Sequence, residues 1–142
     1  EYYKDKLMGD NDFEQLAAAK KFGAWEANMM ELNYHLSHHD SPHKELLTMA
    51  ILYCHYFTNH CFIYESEILS EIAAIQHIPG YIVHGRNDVI CKPEGAFVLN
   101  SAWTASVLEM VPAAGHASVE PGIVDGLIRA SQKVARFINE KK

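Results

Sequence analysis

Two short stretches hold residue types that can do chemistry together. In YIVHGRNDV (81–89) an aspartate, Asp88, stands three residues after the glycine that closes a short apolar run. In PAAGHAS (112–118) a histidine, His116, follows a glycine turn just past a second apolar run. A histidine acting as general base needs its Nδ1–H held by an acceptor so that Nε2 faces the nucleophile, and a carboxylate there also stabilises the imidazolium that forms. Each residue alone is ordinary, since an aspartate after a strand is more often a turn residue or a helix cap. Strand-Gly-x-x-Asp and strand-Gly-His, separated by one helical segment, are much less common as a pair.

For the two residues to meet, the elements before them must run side by side. Residues 81–83 read as a short buried strand, 93–103 as a helix, 106–111 as a second strand and 122–140 as a closing helix. In that last helix Ile123, Leu127, Ala130, Val134, Phe137 and Ile138 fall on one stripe. Strand, helix, strand, helix forms a parallel α/β unit. Functional groups of such a sheet gather in the loops beyond the carboxyl ends of its strands, which places Asp88 and His116 on the same edge. Upstream of the His77–Gly80 break the pattern is helical. A helix is expected over 12–32 with Asp12 as its cap and Gly23 as a weak point, another over 43–57 buried on most sides, and a third over 65–78 that Pro79 stops.

HIPGYIVHGRNDVICKPEGA and VPAAGHASVEPGIVDGLIRAS closely resemble the last two strands of proline iminopeptidases, serine aminopeptidases of the α/β-hydrolase fold that release N-terminal proline. LAAAKKFGAWEANMMEL resembles the helix of that family's cap around a Trp-Glu pair, and HYFTNHCF (55–62) its His-Tyr-Phe-x-Asn-x-x-Phe stretch. The resemblance implies the C-terminal part of an α/β-hydrolase fold, the last two parallel strands with flanking helices, preceded by helices of the cap domain. Residues 1–77 then form the cap region and 78–142 the strands and helices of the core. It assigns Asp88 and His116 to the catalytic triad and matches Glu26 with one of two cap glutamates that bind the substrate's free amino terminus. The second glutamate position, just before the His-Tyr-Phe stretch, holds Tyr53, which carries no negative charge near neutral pH. The substrate implied is a peptide with N-terminal proline, and no cofactor is called for. An esterase or epoxide hydrolase of the same fold, or a hydrolase-like interaction module without catalysis, remains the alternative.

The chain contains no GxSxG or related nucleophile elbow and no HGGG-like oxyanion segment. By the chain order of this fold both are expected upstream of residue 1, so the 142-residue piece by itself is expected to be inactive and to associate with itself or with its missing half. A different chemistry is open at His35, His38, His39 and His43, whose spacing on a helix would suit zinc, although Pro42 and the polar run argue for a loop.

Composition narrows the remaining classes. A formal net charge of −6 excludes phosphate-backbone binding as the main role, because clustered Lys and Arg are needed for it, and no nucleic-acid partner is expected. No apolar run is long enough for a membrane span. Three cysteines without a CxxC spacing suit a reducing compartment, and a cytoplasmic location is expected.

Overall fold

A computed structural model describes residues 2–30, 32, 43–64 and 67–140. It divides into two compact units, Glu1–Asn28 with Tyr34–Glu65 and Met29–Asn33 with Ser66–Lys142. The zinc reading of His35, His38 and His39 lies outside the described residues, as does the Ser41-Pro42 cap. No described helix is long and apolar enough to cross a membrane.

The first unit is helical: α1 (Tyr2–Leu7), α2 (Asp12–Met30), whose last two residues belong to the second unit, and α3 (His43–Thr58), followed by a one-turn 3₁₀ segment at His60–Phe62. α1 has no counterpart in the sequence reading. The cap of α2 is Asn11 and not Asp12: Asn11 Oδ1 accepts the backbone N–H groups of Phe13 and Glu14 at 3.1 and 3.2 Å, satisfying donors that a helix start leaves unpaired. α2 runs unbroken through Gly23, where a Cβ would lie 2.6 Å from Leu46 Cδ1, so the glycine leaves room for that side chain. Small residues serve the same end, for the core consists of Leu7, Ala18, Ala19, Ala50 and Cys54, ringed by Phe22, Leu46, Leu47 and Ile51. α3 buries only Ala50 and Cys54 and leaves Met49, Leu52, Tyr56 and Phe57 substantially exposed. An apolar circumference therefore did not translate into burial on most sides.

His60, Cys61 and Phe62 all have positive φ, 52°, 55° and 56°, a left-handed turn that non-glycine residues rarely adopt. Phe62 is packed against His55 and Tyr56 at ring separations of 5.4 and 5.6 Å, contacts that hold this turn against α3.

The second unit carries α4 (Glu67–Ser70), a 3₁₀ turn at Ile72–Ala74, β1 (Gly80–Gly85), α5 (Pro93–Ala102), β2 (Ser106–Val111) and α6 (Pro121–Glu140). The helix expected over 65–78 is thus one α turn and one 3₁₀ turn. Of its four isoleucines only Ile72 is buried, while Ile68, Ile75 and Ile78 stay exposed. An amphipathic stripe without a surface to cover gains too little to hold a short helix together.

β1 and β2 pair in parallel, Gly80 opposite Ser106 and Gly85 opposite Val111, with α5 as the crossover. This is the α/β arrangement of the last two strands of a hydrolase core. The start of β1 is set by Trp103, whose ring occupies the place of a Cβ on Gly80 and whose Nε1–H donates to the Ile78 carbonyl at 2.9 Å. α6 meets β1 at Gly126, where a Cβ would lie 2.8 Å from Val83 Cγ1. Arg129 of α6 pairs with Glu109 of β2 and with Asp125. Val111, Ala114 and Ile123 form the buried cluster beneath the loop that leads to His116, with Val83 packed against it.

Candidate active site

The parallel register brings the ends of β1 and β2 level, so the loops after Gly85 and Val111 leave side by side. They are stitched together at once. The Arg86 N–H donates to the Val111 carbonyl at 2.9 Å, the Asn87 N–H to the Ala114 carbonyl at 3.0 Å, and the Asn87 side-chain amide to the Pro112 carbonyl at 2.9 Å.

Asp88 follows in a tight turn. Its Oδ1 accepts the N–H groups of Ile90 and Cys91 at 2.9 and 2.8 Å, and its Oδ2 lies 3.0 Å from His116 Nδ1. The aspartate is 6% exposed, a buried charge made tolerable by these donors. A carboxylate only accepts, so His116 donates from Nδ1 and keeps Nε2 as its basic nitrogen. The His116 side chain is 33% exposed, enough to meet another group. The two residues expected to pair from sequence are therefore in contact across 28 positions.

His116 is placed by its backbone as firmly as by Asp88. Its N–H and that of Ala117 both donate to the Met30 carbonyl at 2.8 Å, and the preceding Gly115 N–H donates to Glu120 Oε1 at 2.6 Å. Glu120 is itself buried. Neither Met30 nor Glu120 figured in the sequence reading. A glutamate four residues beyond His116, in a stretch otherwise apolar or small, was the available signal for the second.

A second imidazole-to-carboxylate approach was also missed. His84, at the end of β1, has Nε2 3.5 Å from Asp88 Oδ2 and 2.9 Å from the Cys91 carbonyl. Cys91 shares this neighbourhood. Burial, and then the nearby Asp88 charge, push its thiol above the usual range, so it is no ready nucleophile.

The other two residues singled out from sequence also meet, within the first unit. The Tyr53 phenol lies near Glu26, and its pKa is raised first by burial and then by that carboxylate. Tyr53 stacks on Phe57 at 5.8 Å and tilts against Phe22 at 5.7 Å, while Phe22 reaches Trp25 at 6.0 Å. Glu26 thus has as its neighbour a phenol that is itself part of an aromatic cluster. Among the described residues no group of three His, Cys, Asp or Glu side chains is placed to hold a metal.

No protein-family model matches the chain. Individual proteins do. It is 37% identical over 134 residues to a proline iminopeptidase of Xanthomonas citri, a match that covers 92% of this chain and 42% of that protein. A proline iminopeptidase of Xylella fastidiosa is 36% identical over 131 residues, covering 89% and 41% of the two chains. One of Arabidopsis thaliana is 33% identical over 135 residues, covering 93% and 36%. The chain spans about two fifths of the length of the curated relatives it matches. Over about nine tenths of its length the chain is therefore similar to proline iminopeptidases.

Proposed function

We propose that this chain supplies the acid and the base of a serine aminopeptidase that releases N-terminal proline from peptides through an acyl-enzyme. The observation that carries the reading is the 3.0 Å contact between Asp88 Oδ2 and His116 Nδ1, made by a buried aspartate whose other oxygen is held by two backbone N–H groups. In this reading Asp88 fixes the tautomer and orientation of His116. His116 Nε2 takes the proton of a serine as it attacks the carbonyl of the N-terminal residue, then returns it to the departing amine. The serine is not in this chain, which has no GxSxG. We place it in the part of the relatives' length that the chain does not cover, so the 142 residues alone form no acyl-enzyme. The three free thiols, Cys54, Cys61 and Cys91, support a reducing, cytoplasmic setting.

The test is kinetic, on the enzyme that carries this chain, with a proline-anilide substrate. His116→Ala is expected to remove nearly all turnover, and Asp88→Asn to lower it by roughly a thousandfold or more, because the amide favours the wrong histidine tautomer. Near-normal turnover in a folded His116→Ala variant would end the proposal.

Glu26 is the proposed contact for the substrate's ammonium, with Tyr53 beside it as a neutral partner. A carboxylate in an aromatic, partly desolvated surround attracts a cation more strongly than one in water. Glu26→Gln is expected to raise KM for substrates with a free N-terminal amine and to leave a small uncharged ester unaffected. Equal losses on both would show that Glu26 supports structure and does not read the charge of the substrate's amine.

A further inference from the structure

β1 ends in His84-Gly85, and the His84 side chain is 19% exposed. Its Nε2 lies 2.9 Å from the Cys91 carbonyl. A carbonyl oxygen only accepts, so Nε2 carries the proton and donates, which sets the tautomer of this ring as surely as Asp88 sets that of His116. Cys91 is the far end of the Asp88 turn, and its N–H donates to Asp88 Oδ1. The residue is therefore held at both of its backbone groups, the N–H by Asp88 and the C=O by His84.

This has a consequence for how Asp88 presents its second oxygen. A carboxylate turns about its Cβ–Cγ bond, and Oδ2 faces His116 only while Oδ1 stays on the N–H groups of Ile90 and Cys91. Those two donors sit on a turn that His84 ties back to the rigid strand. The same Nε2–H approaches Asp88 Oδ2 to 3.5 Å, so the carboxylate lies between two imidazoles, one donating to it and one close beside it. Groups that orient a catalytic side chain from behind in this way fix its geometry to within fractions of an ångström.

We infer that His84 is a positioning residue for the Asp88–His116 pair, acting as an Nε2–H donor that anchors the turn carrying Asp88. The inference rests on that pair being the acid and base of the site. His84 touches no reacting atom in this scheme and works only through Asp88.

The test is side-chain NMR on the full, ¹⁵N-labelled chain. In the wild type His84 is expected as the Nε2–H tautomer, and His116 is expected to show the downfield Nδ1–H proton of an imidazole donating to a carboxylate. His84→Gln keeps an N–H donor of similar reach and should keep the His116 signal. His84→Leu removes the donor and should abolish that signal and speed amide exchange at Ile90 and Cys91, while the β1 and β2 amides stay dispersed. The proposal is overturned if wild-type His84 is the Nδ1–H tautomer, if folded His84→Leu keeps the His116 signal, or if folded His84→Gln loses it. Should His84→Leu fail to fold, the wild-type tautomer and His84→Gln decide between them. Asp88→Asn separates the two levels: if it leaves the His116 signal in place the acid–base pair itself fails, whereas loss there with no effect of His84→Leu removes only the role of His84.

Discussion

Gly85 and Gly115 meet backbone to backbone. The Gly115 carbonyl occupies the place of a Cβ on Gly85, and the Ala114 carbonyl lies 2.6 Å from the same point. The strand that leads to Asp88 and the loop that leads to His116 can approach closely enough for the two side chains to bond because Gly85 carries no side chain at this crossing.

Gly85→Ala is therefore expected to push the two loops apart. The added methyl meets backbone atoms and not a flexible side-chain end, so the cost should reach or exceed the usual 1–3 kcal/mol of overpacking, on the order of 3 kcal/mol. Thermal unfolding measures the loss, and the His116 Nδ1–H resonance should weaken with it. An unchanged melting temperature would mean that the loops yield freely.

Glu120 should matter through the loop it holds. Glu120→Ala leaves the Gly115 N–H, now bonded at 2.6 Å, without its partner in a buried place, a cost of about 1–3 kcal/mol. Glu120→Gln keeps a carbonyl oxygen there and should cost less. Chemical denaturation of the two variants side by side gives the comparison, and equal losses would point to the charge of Glu120 and not to its acceptor.

Tyr53 supplies a pH dependence. Its folded pKa is raised, first by burial and then by Glu26, above the ordinary tyrosine value. A group with a raised folded pKa contributes stability below its unfolded pKa, about 10 for tyrosine, and loses it as pH rises through the folded value. Wild-type protein should lose stability more steeply above about pH 10 than Tyr53→Phe, which has no phenol to ionise. Parallel curves for the two proteins would show that the Tyr53 pKa is not raised by folding.

Association is expected of the isolated chain. Among the described residues β1 is paired on one side only, by β2. Beside it Tyr81, Leu127, Ala130, Val134 and Ile138 line an open groove along α6, with Leu127 43% and Ile138 52% exposed. An unpaired strand next to an apolar groove favours pairing with another chain. Light scattering at low micromolar concentration should report a species larger than 16.0 kDa, and Leu127→Lys should reduce it. A stable monomer would refute this expectation.

What the sequence determined by itself was carried by contiguous residues. β2, α5 and α6 were legible to within a residue or two because an apolar run, a proline at a helix start or a repeating stripe is a local signal. Asp88 and His116 were legible for the same reason: each follows a strand and a glycine, and parallel strands put such positions on one edge. Tertiary structure decided the rest. The residues 65–78 have the stripe of a helix and not the packing surface to keep one, so they break into Glu67–Ser70 and Ile72–Ala74. Tyr53 and Glu26 stand 27 positions apart, and only the packing of α2 and α3 in one core makes them neighbours. His84, Glu120 and the Met30 carbonyl stayed hidden because their roles are set by a carbonyl, an N–H or a carboxylate that folding brings beside them. No spacing along the chain records a contact of that kind.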